Sequence, residues 1–219
     1  MAFRSPVAVE GLPFIFAFIV VAAVGDWLCP SAPGDALLWL LVIWCIWFFR
    51  DPERVIPEDS KEIIIAPADG VIIAIEEIDA APLSGEPARL CSIFMNVFNV
   101  HVNRCPEAGR VMKVKHHAGK FFNAALDKSS TENERTEILL KLDSGTLIPF
   151  VQVAGLIARR IICRLQPGDQ VVRGERFGLI RFGSRVDLYL PRSAQLNVTL
   201  GQKTKAGETI IAMLDTTDA

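Results

Sequence analysis

Residues 12–24 and 36–49 are two apolar runs without a single charged side chain, and they limit the fold more than any other part of the chain. Neither run can form an ordinary surface helix, because neither has a polar face. Between them, residues 25–35 are rich in Gly, Pro and Asp, which favour turns. The pattern predicts a helical hairpin. A full membrane span takes about 20 apolar residues. Each run is shorter, although Trp27 and Leu28 extend the first. The hairpin therefore either crosses a thinned bilayer or dips into one leaflet; packing on a globular domain is the alternative. A secretory signal peptide fits less well, because Glu10 lies near Arg4, no small-residue cleavage site is evident and a second run follows. Arg4 precedes the first run, Arg50 and Arg54 follow the second, and the connector carries only Asp26 and Asp35. The positive-inside rule then puts everything after residue 50 on the cytoplasmic side of the cell (inner) membrane. Trp39, Trp44 and Trp47 suit its interfaces.

Apolar residues make up 51% of the 219, which agrees with a membrane segment. The net charge of −2 gives no reason to expect nucleic acid as a partner. Five scattered cysteines form no CxxC pair, so neither a disulfide framework nor a thiolate zinc site is expected, and no other metal is called for. Reduced thiols suit a domain facing the cytosol.

After Pro52 and Pro57 the sequence changes character. Residues 63–75 read as strand, Asp69-Gly70 turn, strand. Residues 90–102, 111–115, 136–142, 150–162 and 170–190 are further strand-like runs, and residues 123–134 read as a polar loop. Helix-period patterns of useful length are absent. The expectation is a mainly β fold, with strands like those of a barrel-sandwich hybrid, behind an N-terminal apolar helical hairpin. Residues 1–55 form the hairpin and 56–219 the β-rich domain. Pro167-Gly168-Asp169-Gln170-Val171 is similar to lipoyl carrier domains, yet no Lys stands at a hairpin tip to carry a group.

Three elements bear chemistry. Gly183-Ser184 lies between two strand-like runs; serine supplies a hydroxyl, and glycine leaves its own carbonyl open to attack. His101 lies in Phe98-Asn99-Val100-His101-Val102-Asn103-Arg104, and is one of only three histidines. Asp69 sits in a tight turn. A carboxylate that orients an imidazole, which deprotonates a hydroxyl, is a general way to activate a weak nucleophile.

The ordered set of motifs resembles a known family. Residues 49–54 (FRDPER), 66–70 (APADG), 99–104 (NVHVNR), 119–121 (GKF), 133–135 (NER), 154–161 (AGLIARRI) and 177–191 are similar to the short bacterial and archaeal form of the phosphatidylserine decarboxylase proenzymes. The resemblance implies that Ser184 attacks the Gly183 carbonyl, with His101 as general base and Asp69 orienting it. The chain would be self-cleaved into residues 1–183 and 184–219, and Ser184 would become a covalent pyruvoyl group, the cofactor. That group would form a Schiff base with phosphatidylserine and decarboxylate it to phosphatidylethanolamine and CO2. Membrane phosphatidylserine and the two chains of the same precursor would be the partners; assembly of several copies stays open, as does a diacyl or ether lipid backbone. Asn103, Lys120, Arg159, Arg160 and His116 are candidates for binding the headgroup. Longer relatives carry a second histidine before the position of His101, where this chain has Phe98-Asn99-Val100. The proton donor after decarboxylation is therefore open among His116, His117 and His101 itself. Longer relatives also tend to have Leu-Gly-Ser-Thr where this chain has Phe-Gly-Ser-Arg. The reading from a different class is a non-catalytic membrane adaptor with a lipoyl-like hybrid domain, which would stay one intact chain.

Overall fold

The two apolar runs are helices, α1 (Leu12–Leu28) and α2 (Pro33–Phe48). The computed structural model describes residues 5–28, 33–58, 62–122, 124, 132–155, 160–181 and 183–214. The chain divides into two units, Met1–Glu53 and Arg54–Ala219. In the first, the helices are tied by Trp39 Nε1, which donates to Asp26 Oδ2 at 2.9 Å. The ends of the hairpin are clasped by Ala8 N to Phe49 O (2.8 Å) and Asp51 N to Pro6 O (2.7 Å). Phe14 stacks on Phe49. Phe16, Trp27, Leu37, Leu40 and Ile43 are all exposed, so the apolar surface runs around the helices rather than along one face. The stretch Val9–Leu28 has the length and composition to cross a membrane.

The described part of the second unit is mainly β. Its strands are β1 (Ile63–Ile65), β2 (Gly70–Ile78), β3 (Ala88–Met95), β4 (Val102–Arg104), β5 (Gly109–His117), β6 (Arg135–Lys141) and β7 (Leu147–Val153). They continue as β8 (Ile161–Cys163), β9 (Gln170–Val171), β10 (Arg176–Ile180), β11 (Ser184–Pro191), β12 (Gln195–Leu196), β13 (Lys203–Thr204) and β14 (Ile210–Met213). An eight-stranded antiparallel sheet runs β13-β2-β3-β11-β7-β6-β5-β9, and two three-stranded sheets run β1-β14-β12 and β4-β10-β8. The fold is mainly β, as the apolar alternation implied.

The Asp69-Gly70 turn does not close a hairpin. β1 pairs with β14 and β2 with β3, so the turn carries the chain from one sheet to another. The run at residues 90–102 is likewise broken. Asn96 Oδ1 accepts from Phe98 N and Asn99 Oδ1 from Asn96 N, both at 2.9 Å, and these side-chain bonds replace the ladder.

β11 lies centrally in the large sheet, and its side chains alternate between two cores. Val186, Leu188 and Leu190 join the main core with Ile93, Met95, Ile138 and Phe150. There β10 packs on the sheet, Phe177 meeting Phe150 edge to face at 5.3 Å. Tyr189 faces the other way, into a smaller core with Ala81, Ala88, Val151 and Val153.

Candidate active site

Ser184 opens β11 and is fully buried. Period-2 alternation puts its side chain on the face of Val186, toward the main core. Its ladder partner is Met95, the last residue of β3, and its Oγ points to Met95 Sδ at 3.9 Å. The same sulfur faces Asn103 Nδ2 at 3.8 Å, and Asn103 Oδ1 accepts from Gln152 Nε2 at 2.8 Å. Met95, Asn103 and Gln152 are fully buried too. Residue 184 therefore begins a chain of neutral polar side chains, and Asn103, a headgroup candidate from the sequence, lies inside it rather than on the surface.

Gly183 has φ of +61°, a left-handed conformation that favours glycine. Its carbonyl oxygen rests against Gly155, so closely that a Cβ on Gly155 would collide with it. The corner that carries Gly155 is fixed by Asn133, which is fully buried. Asn133 Nδ2 donates to Ala154 O at 2.7 Å and to Phe122 O at 2.8 Å, while its Oδ1 accepts from Phe122 N at 2.9 Å. Both N–H groups and the oxygen of that amide thus hold backbone beside the Gly183 carbonyl.

Glu134 gathers a second corner. Its backbone oxygen accepts from Ala154 N (2.9 Å) and its nitrogen donates to Lys120 O (3.0 Å). Its carboxylate takes the Ile161 amide at 3.3 Å and lies 4.0 Å from His116 Nε2. Of the headgroup candidates, His116 thus faces the Glu134 carboxylate, Lys120 meets Glu134 through backbone alone, and Arg160 precedes Ile161, whose amide that carboxylate takes. His116 Nδ1 bonds Thr136 Oγ1 at 3.2 Å, Lys120 Nζ bonds Glu132 at 3.0 Å, and Arg160 is exposed. His117 points to the other side, onto Glu137 at 3.1 Å. Arg159 lies outside the described residues.

His101 is fully buried, immediately before β4. Its carbonyl receives Ile180 N at 3.4 Å, at the end of the strand that precedes Gly183. The turn that holds Asp69 adjoins the same segment, since Arg104 N donates to Pro67 O at 2.9 Å. The contacts described for the Asp69 carboxylate are with other partners. Arg54 Nη2 donates to both oxygens, at 3.0 and 2.9 Å, and Ala206 N donates to Oδ1 at 2.8 Å. Sequence reasoning gave Arg54 a part only in orienting the hairpin and gave Asn133 and Glu134 none, although all three stand in the motifs, and it missed Gln152 and Met95.

The family model described as phosphatidylserine decarboxylase matches residues 41–212. The chain is 55% identical over 210 residues to a phosphatidylserine decarboxylase proenzyme of Magnetococcus marinus, covering 95% of each chain. It is 47% identical over 217 residues to a protein of the same description from Pelobacter propionicus, covering 96% of this chain and 98% of that one.

Proposed function

Because the chain belongs to the phosphatidylserine decarboxylase family, we propose that it removes the carboxyl group of phosphatidylserine with a ketone made from its own Ser184. The product is phosphatidylethanolamine, and the protein is a carboxy-lyase. The observation that carries the reading is the peptide at 183–184: a left-handed glycine joined to a buried serine at a strand end.

The self-cleavage balances with the chain's own atoms and one water. Ser184 Oγ bonds to the Gly183 carbonyl carbon, the peptide C–N bond breaks, and the acyl group moves from nitrogen to oxygen. Loss of the Ser184 α-proton then expels the acyl group as the Gly183 carboxylate. The alkene left at residue 184 takes up water and releases ammonia. Residues 1–183 and 184–219 result, the second beginning with a pyruvoyl group. We assign His101 to the hydroxyl proton. Asp69 supplies the carboxylate that orients it, and Arg54 and the Ala206 amide fix where that charge sits.

The residues present suit a pyruvoyl group. Its site is fully buried, begins a paired strand and has the neutral neighbours Met95, Asn103 and Gln152. A ketone there is shielded from bulk water, and Gln152 Oε1 is a buried acceptor with no partner among the described residues. When formed, the group withdraws electrons from the carbon that loses carbon dioxide. His116, Lys120 and Arg160, each linked to Glu134 or its neighbours in the fold, offer donors for the headgroup phosphate. The apolar hairpin holds the catalytic unit at the cytoplasmic face of the membrane, where the substrate lies. The protein is tested by mixing it with phosphatidylserine vesicles and following phosphatidylethanolamine. The wild type forms it and Ser184→Ala does not; an active Ser184→Ala variant overturns the reading.

A further inference from the structure

One and three residues beyond Ser184 stand the members of a charge pair that the chemistry above does not use. Arg185 Nε stands 2.8 Å from Asp187 Oδ1, and Arg185 Nη2 donates to Asp187 Oδ2 at 3.0 Å. Ser92 Oγ donates to Asp187 Oδ1 at 2.6 Å, and Arg185 Nη1 donates to Ala124 O at 3.2 Å. The two side chains are only 4% and 1% exposed. Burial pushes the Asp187 carboxyl above its ordinary range, and Arg185 and Ser92 pull it back. Burying two charges is costly, and it seldom adds much stability over apolar residues of the same size. The pair therefore invites a reason other than bulk stability.

Its position suggests one. Arg185 and Asp187 alternate to the face opposite Ser184, so they do not reach the hydroxyl. They flank the residue that becomes a chain end. Before the cut, residue 184 is held by the bond to Gly183 on one side and by the ladder on the other. After it, only the ladder and the bond to Arg185 remain. Residue 184 pairs with Met95 on β3, while the pairing with β7 starts one residue later, at Arg185 and Val153. New strand ends fray. We propose that the Arg185–Asp187 pair, braced by Ser92 and the Ala124 carbonyl, is the anchor that keeps residue 184 seated once the bond to Gly183 is gone. This inference rests on the self-cleavage reading. The pair is a positioning device for the finished site, not part of the cutting machinery.

Amide hydrogen exchange across residues 184–188 tests it, compared between cut protein and the uncut Ser184→Ala chain. Replacing the pair together, Arg185→Leu with Asp187→Leu, leaves no lone buried charge. The anchor predicts that this change speeds exchange about tenfold in the cut protein and far less in the uncut chain. Ser92→Ala, which removes one brace and no charge, shows the same asymmetry with a smaller rise, and decides the matter if the double variant does not fold. An equal change in cut and uncut chains, or no change in either, overturns the anchor and leaves the self-cleavage reading standing. A wild-type chain that never cuts overturns both.

Discussion

The Arg54 guanidinium reaches both carboxylate oxygens of Asp69, at 3.0 and 2.9 Å, with side chains only 7% and 13% exposed. The pair joins two of the motifs and fixes the turn beside the His101 segment. Removing one partner of a pair this buried strands the other charge. Arg54→Met is expected to lower stability by about 3 kcal/mol, read from the urea midpoint. It is also expected to slow the appearance of the 184–219 chain, and Arg54→Lys to restore part of both.

Asn133 bears on the cut through backbone. Asn133→Asp keeps the shape but loses both donors, to Phe122 O and Ala154 O. A stability loss of about 2 kcal/mol is expected from the unsatisfied carbonyls. Because Gly155 follows Ala154 and supports the Gly183 carbonyl, the uncut chain should also persist longer. A gel time course after expression measures it; prompt cutting would separate Asn133 from the reaction.

His101 is expected to act by moving the Ser184 proton. His101→Ala should accumulate uncut chain and leave an imidazole-sized gap, so added imidazole should speed the cut. Asp69→Asn should slow it as well. Wild-type cutting rates in both variants would remove them from the mechanism.

Among the thiols, Cys91 is pushed up to about 12, first by burial and then by the nearby Asp187 charge. Burial also raises Cys105. In the folded protein both should resist iodoacetamide at pH 8 and react once urea unfolds the chain. An unfolded thiol ionises near pH 8.5. The folded state therefore binds the extra proton above that, and stability falls as pH rises from about 9 toward 12. Urea midpoints in wild type and Cys91→Ala across that range show whether the slope shrinks.

Much of this was legible in the sequence for local reasons. Charge-free apolar runs left residues 12–24 and 36–49 little choice but helix. β-branched alternation marked most strands. Asn96 and Asn99 also carried a readable signal, since such side chains compete with a ladder for backbone bonds, yet the apolar residues around them masked it. The sheet order could not be read, because β11 finds β3 and β7 across long separations that no period encodes. The Arg54 partner of Asp69 and the amide chain from Asn103 to Gln152 were hidden for the same reason. The Arg185–Asp187 pair was within reach: two residues apart on a strand place both charges on one face.

The account turns on the bond between Gly183 and Ser184, and the intact mass of the purified protein tests it most directly. The prediction is two chains, residues 1–183 and 184–219, with the second lighter than its serine form by the mass that separates a pyruvoyl group from serine. In Ser184→Ala one uncut chain is expected. A wild-type protein that is active as a single chain of full mass would contradict the account.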